Sequence, residues 1–178
     1  RRSEKLSLIV TLGLDGSGCR RVKSFLAGST SYSRTPERTS VVVRILHILD
    51  HSLPMHSGYT FRTRAILKAQ QALGWEVKGV TGLRHTASGP DVETVDGLMF
   101  HRTRGTVLRL PVAREWSEVI TFAERIEALV DQWKPDILHA HSPVLDALAG
   151  LRVAKRRNIP FVYEIRAFWE DAAVGNGT

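Results

Sequence analysis

The sequence predicts an α/β fold, a mostly parallel sheet with helices on both faces, and three observations carry that prediction. Residues 41–49, Val-Val-Val-Arg-Ile-Leu-His-Ile-Leu, form the β-branched and aliphatic run expected of a strand buried on both sides. Apolar Phe61, Ala65, Ile66, Ala69, Ala72 and Leu73 then recur at helical spacing, and Gly74 supplies the stop. Residues 75–81 read as a second strand. A strand, an amphipathic helix and a strand in such close succession make a right-handed parallel crossover the expected connection.

The other elements follow in order. Beyond a loop over residues 82–92, residues 93–103 read as a short hairpin turning at Asp96-Gly97. Val119, Phe122, Ala123, Ile126, Leu129, Val130 and Trp133 mark a second helix. It stops before Pro135, because a residue ahead of proline is pushed out of the helical region. Residues 136–141, Asp-Ile-Leu-His-Ala-His, give a third strand. Ser142 and Pro143 read as a helix start, a hydroxyl cap followed by proline at the first helical position, and that helix runs to Arg157. Residues 161–165 are the next strand.

A chain of 178 residues suits one ordinary domain and is short for two. Its composition, 43% hydrophobic and 24% charged, excludes collagen-like and wholly disordered classes. No run approaches the roughly 18 apolar residues of a membrane-spanning helix. The single cysteine, Cys19, rules out an internal disulfide and a cysteine-built zinc site, and it favours a reducing compartment, with the cytoplasm expected.

Twenty-five Lys and Arg against 18 Asp and Glu give +7, which raises nucleic acid or an anionic membrane as partners. Residues 1–42 hold eight basic and three acidic residues, so they supply +5 of that charge; the remainder is nearly neutral and nucleic acid is not expected. This leader is Ser- and Thr-rich, and its one apolar stretch, residues 6–14, has no period. It is expected to be disordered or foreign to the working protein, packing against little of the sheet. An Arg-rich, acid-poor start also fits a secretion signal or transit peptide, although no clear cleavage site follows. The expected division is therefore a leader over residues 1–42 and a domain over residues 43–178.

In an open parallel sheet, ligands bind beyond the carboxyl ends of the strands. The first strand leads through residues 50–57 to Ser57-Gly58-Tyr59, where a helix begins; a glycine there lets an anion reach free amides at the positive end of the helix dipole. Simple turn chemistry explains the same glycine. Neither a Gly-x-Gly-x-x-Gly nor a P-loop pattern is present. His139 and His141 share one face of their strand. A His-x-His can hold metal, with His47, His51 and His56 as further ligand candidates, but no acidic companion stands at a recognisable spacing. Metal binding is thus a minority reading; a hydrogen-bonded strand-end histidine serves equally for His139, and His141 is the better functional candidate. Glu164 and Arg166 also alternate onto one face, where the carboxylate could hold the guanidinium for phosphate or carboxylate recognition, or form a structural salt bridge.

Taken together, the run at residues 44–48 with the loop at 54–58, Leu73-Gly74-Trp75-Glu76-Val77, Pro135-Asp136-Ile137-Leu138-His139-Ala140-His141 and Ile159-Pro160-Phe161-Val162-Tyr163-Glu164-Ile165-Arg166 resemble the amino-terminal domain of family 4 retaining glycosyltransferases. The resemblance covers about residues 43–178. It implies a Rossmann-like domain, one half of the GT-B architecture. The segment at residues 164–171 is similar to a bacterial exosortase-associated subgroup acting in exopolysaccharide assembly.

The resemblance implies transfer of a sugar from a nucleotide-sugar donor to a saccharide or lipid-linked acceptor with retained configuration, without cofactor or metal. It places the donor diphosphate near Ser57 and Gly58, with Tyr59 beside them, and the reacting sugar near the position of Arg166, which could instead bind donor or acceptor phosphate; Arg166, Glu164 and His141 are the expected catalytic residues. Two departures stand out. The family's adjacent glycines read Ser57-Gly58 here, which questions a tight backbone approach at Ser57, and Arg166 stands where many members have a histidine. The family's second, donor-binding domain has no counterpart in the sequence, so this polypeptide is expected to be an inactive fragment. Arg62, Arg64, Lys68, Arg102, Arg104, Arg109 and Arg114 could form a basic rim attracting anionic lipid at the inner face of the plasma membrane, although scattered solvated charge explains them as well. The alternatives are a non-catalytic Rossmann-like module needing a partner chain and a metal-dependent hydrolase using His139 and His141.

Overall fold

The computed structural model of the protein describes the backbone of residues 8–12 and all of residues 42–106 and 113–166. In chain order these form β1 (Leu8–Leu12), β2 (Arg44–Leu49), α1 (Gly58–Ala72), β3 (Glu76–Thr81), β4 (Val92–Val95), β5 (Leu98–Arg102), α2 (Ala113–Trp133), β6 (Ile137–His141), α3 (Val144–Arg157) and β7 (Phe161–Ile165). One sheet runs in the order β1-β7-β6-β2-β3-β5-β4. Its five central strands are parallel, and the two edge strands are antiparallel to their neighbours. The α/β class, the parallel crossovers and helices on both faces are as the hydrophobic periodicity predicts.

Alternation along the strands divides the interior into two layers. Leu46 and Ile48 of β2, Leu138 and Ala140 of β6 and Phe161 of β7 face α2 and α3, where Val119, Phe122, Ile126, Ala149 and Val153 complete an apolar core. Ile45 and Leu49 point to the opposite face and join Leu67 of α1 with Val77, Leu98 and Phe100. Glycine allows close approach in the first layer: a Cβ on Gly150 of α3 would lie 2.6 Å from Ile48 Cδ1 and 2.8 Å from Phe161 Cε2. The β4–β5 hairpin turns through Asp96 and Gly97 with φ of 54° and 69°, the left-handed pair a tight two-residue turn requires.

Two expectations are corrected. The leader contributes a strand: β1 pairs along β7 from Leu8 opposite Ile165 to Leu12 opposite Phe161. An uncovered β7 would present a row of unpaired amides and carbonyls, and a short strand-forming segment satisfies them. Periodicity misses such a strand because five residues are too few to show it. The rest of residues 1–41 lies outside the described residues. The hydroxyl of Ser142 does not cap α3, whose N-cap residue is Pro143. It accepts from the Arg166 amide at 2.9 Å and reaches the Glu164 carbonyl at 3.4 Å, tying the exit of β6 to that of β7.

Candidate active site

On the α1 side of the sheet, the half formed by β2, β6 and β7 is polar. His47, His139, His141 and Glu164 occupy the alternate positions that would otherwise extend the second apolar layer; His47 and His139 are register partners, as are His141 and Glu164. His47 and His141 are fully buried and Glu164 nearly so. The structure brings His141, Glu164 and Arg166 into contact with one another.

Glu164 is the hub. Its Oε1 lies 2.9 Å from Arg62 Nη2 and 3.5 Å from Arg166 Nε, and its Oε2 lies 3.1 Å from His141 Nδ1 and 3.6 Å from His139 Nε2. Burial alone would raise its pKa, but the two histidines beside its Oε2 and the Arg166 charge outweigh it and hold the carboxyl well below the usual range. Arg166 is fixed from several sides. Its Nη1 donates to the Tyr59 carbonyl at 3.1 Å and to Thr63 Oγ1 at 2.8 Å, its Nη2 contacts His141 Nδ1, and its guanidinium carbon stands 4.5 Å from the Tyr59 ring centroid. A cation over an aromatic face adds to these bonds.

Behind this pair the imidazoles form a chain. His47 Nδ1 is 2.9 Å from His141 Nε2, and His47 Nε2 is 2.7 Å from Gln70 Oε1. Because the amide oxygen accepts, His47 Nε2 carries the proton. Burial, reinforced by neighbouring positive groups, lowers the pKa of both rings, that of His141 to about 3, so both are neutral at ordinary pH.

The start of α1 is organised around Ser57. Its backbone is extended, with φ −155°, and its hydroxyl accepts from the Thr60 amide at 3.1 Å while facing His51 Nε2 at 2.9 Å. Ser57 therefore caps the helix and needs no left-handed backbone. The Phe61 amide goes to the Ser57 carbonyl. Among the described residues no acceptor meets the amides of Gly58 and Tyr59. A Cβ on Gly58 would touch nothing within 4 Å, so the protein's own packing does not demand glycine there. Tyr59 is turned inward: its hydroxyl accepts from the Asp50 amide at 3.2 Å, and burial raises its pKa.

Three participants escape sequence reasoning about the site. Gln70 gives no signal beyond its place on α1. Asp146, in the first turn of α3, is 4% exposed, has Oδ2 without a hydrogen-bond partner, and has its pKa pushed well up by burial and then by Asp50. Arg102, expected in a basic rim, is instead 2% exposed. It is paired with Glu93, and its Nη1 and Nη2 each donate at 2.6 Å, to Ser52 Oγ and the Leu53 carbonyl, so it pins the β2–α1 loop to β5. A guanidinium is buried only when its donors are satisfied, which local sequence does not reveal. Of the other rim candidates, Arg64 and Lys68 pair with Asp96 and Arg104 with Asp91. Arg109 lies outside the described residues. His51 and His56 stay apart from the histidine cluster, facing Tyr59 and Phe61 respectively.

The structure is a Rossmann-like α/β domain with a polar layer at the carboxyl ends of adjacent parallel strands, and comparison with known families makes the class specific. Residues 57–177 match the Glycosyl transferase 4-like domain, so the chain belongs to that family. Among solved structures, sucrose-phosphate synthase from Thermosynechococcus elongatus is similar, with 18% identity and a TM-score of 0.51 over 67% of this chain and 32% of that one. A Streptomyces sp. SF2575 glycosyltransferase matches at 21% identity and a TM-score of 0.40, over 67% of this chain and 38% of that one. The C-terminal domain of a Pyrococcus furiosus hydrogenase matches at 16% identity and a TM-score of 0.46, over 72% of this chain and 99% of that one. The chain thus spans about a third of the length of the synthase. No curated protein matches it. No described helix is long and apolar enough to cross a membrane.

Proposed function

We propose that the chain is the acceptor-side domain of a retaining glycosyltransferase of GT-B architecture, which moves a sugar from a nucleotide-sugar donor to a saccharide or lipid-linked acceptor in exopolysaccharide or cell-envelope glycan synthesis. The observation that carries this reading is the joining of Arg166 to the first turn of α1 through the Tyr59 carbonyl and Thr63, within a family 4-like domain. That contact sets a buried guanidinium against the helix whose first amides are those of Gly58 and Tyr59. Together with the helix dipole, they offer fixed positive potential where negative charge develops on a departing diphosphate. Because its donors are already directed, Arg166 acts as a preorganised charge. Glu164 orients it, and neutral His141 lies against both.

The test is a donor screen on the full-length protein, with the anomer of the product read by NMR. Gly58→Val is expected to abolish transfer while leaving Tm unchanged, since in the free protein the new side chain meets nothing. Arg166→Ala is expected to lower kcat by about 10²-fold or more, the scale of losing one preorganised donor. Wild-type activity in both variants refutes the assignment. Presentation of a lipid-linked acceptor by peripheral contact with anionic membrane belongs to the same proposal. It rests on Arg64, Lys68, Arg104 and Arg114, and binding to anionic vesicles that persists unchanged in high salt counts against it.

A further inference from the structure

The three histidines of the polar layer form an arrangement that sugar transfer does not require. His139 and His141 share the α1 face of β6, and His47 stands opposite His139 on β2. One ring nitrogen of each lies within 4.8 Å of the other two. The ring centroids are 4.3, 4.9 and 5.2 Å apart.

Metal-ligating histidines almost always donate their second ring N–H to an oxygen acceptor, which fixes both tautomer and orientation. Two of these rings have that acceptor in place: Gln70 Oε1 at 2.7 Å from His47 Nε2, and Glu164 Oε2 at 3.1 Å from His141 Nδ1. With both outer nitrogens protonated, His47 Nδ1 and His141 Nε2 would aim bare lone pairs at each other across 2.9 Å. Without metal, Arg166 Nη2 donates to His141 Nδ1 and the proton on His141 Nε2 fills that gap; with Nδ1 protonated toward Glu164, a cation can take the proton's place. Zinc bonded tetrahedrally at about 2.0–2.1 Å holds ligand nitrogens roughly 3.3 Å apart, so an opening of a few tenths of an ångström admits it. His139 adds a third nitrogen, and its buried Nε2 stands 3.6 Å from Glu164 Oε2, too far for a hydrogen bond, and has no other partner among the described residues.

We propose that His47, His139 and His141 bind one divalent transition-metal ion of the zinc class, with Gln70 and Glu164 as the outer partners that orient two of the rings. Binding selects the His141 tautomer whose Nδ1–H faces Glu164. Arg166 then gives up its contact with that nitrogen and keeps those with the Tyr59 carbonyl and Thr63. The ion would cross-link β2 and β6 beneath α1 and displace a guanidinium contact. The inference stands apart from sugar transfer, and it is tested by binding rather than activity.

The experiment is titration of the chelator-stripped full chain with Co²⁺, followed by displacement with Zn²⁺. One Co²⁺ per chain is expected, with the intense visible bands of a four-coordinate ion, and Zn²⁺ should abolish them. His139→Asn changes the least buried of the three ligands and should weaken binding by more than the roughly 10–100-fold typical of outer-shell changes. Gln70→Leu, which leaves all ligands in place, should weaken it within that range and gives a second reading if His139→Asn does not fold. Arg166→Met removes a competing donor and a positive charge, and should tighten binding several-fold. Absence of four-coordinate bands, or Co²⁺ binding unaltered in both His139→Asn and Gln70→Leu, overturns the site.

Discussion

The two faces of the central sheet are built from the same strands and answer to different demands. Toward α2 and α3, β2, β6 and β7 present Leu46, Ile48, Leu138, Ala140 and Phe161, an unbroken apolar layer. Toward α1 they present His47, His139, His141 and Glu164. Apolar packing on that face runs from Ile45 and Leu49 of β2 over Val77, Leu98 and Phe100 of β3 and β5. A one-residue step along a strand thus moves from a position whose worth is buried area to one whose worth is directed hydrogen bonding. The polar half holds its groups neutral or paired, because an uncompensated buried charge costs several kcal/mol. The difference teaches where this domain keeps its stability and where it gives stability up to hold chemistry.

The sharpest way to break the comparison is to open the apolar face. Phe122→Ala, at a residue 2% exposed, is expected to cost about 3–5 kcal/mol in denaturant unfolding. A loss below 1 kcal/mol would mean that the face is not the main store of stability. Gly150→Ala probes the same layer from the other direction. Alanine favours a helix by about 1 kcal/mol, yet its methyl would overlap Ile48 and Phe161. Net destabilisation of about 1–3 kcal/mol is expected from overpacking, and a stabilised variant would show the α3 seat to be loose.

At buried polar groups without partners the sign should reverse. The folded pKa of Asp146 lies above its unfolded value, so its contribution favours folding at low pH and is lost as pH rises through that folded pKa. Asp146→Asn should therefore raise Tm at pH 7, by about 2–4 °C for each kcal/mol recovered, and flatten the decline of stability as pH rises above 3.8, the ordinary carboxylate value. An unchanged pH profile would remove Asp146 as its source. The smallest effect is expected at His101, where burial, followed by the charges of Lys78 and Arg125, lowers the pKa to about 4 and both ring nitrogens lack partners. Its folded pKa is depressed, so the protein loses stability as pH falls from about 6.5, the ordinary histidine value, toward 4. His101→Leu should gain about 1 kcal/mol at pH 7 and blunt that acid limb in thermal melts.

Much of the candidate site is legible in the sequence because strand alternation is local. His139-Ala140-His141 and Glu164-Ile165-Arg166 announce shared faces, and the end-of-strand rule places both at one edge of the sheet. His47 enters the reading only as a loose ligand candidate, since a lone imidazole inside an aliphatic run says nothing about which neighbour receives it. Its partner Gln70 is 23 residues away on α1, at a contact set by helix-on-sheet packing. Arg102 shows the same limit in reverse. As a charged residue it reads as surface, but the packed hairpin brings Glu93, Ser52 and Leu53 to its guanidinium and makes burial tolerable.

By itself the sequence determined the α/β class, the order of its main strands and helices and the family resemblance, because hydrophobic period, turn residues and strand-end motifs are properties of short segments. Only the tertiary structure decided that Leu8–Leu12 covers the edge of β7, that Ser142 joins two strand ends instead of capping a helix, and that three imidazoles, a carboxylate and a guanidinium share one buried layer. Each of these is a long-range pairing. What settles such a pairing is the demand that every buried donor and acceptor find a partner across the fold, and no local pattern encodes that demand.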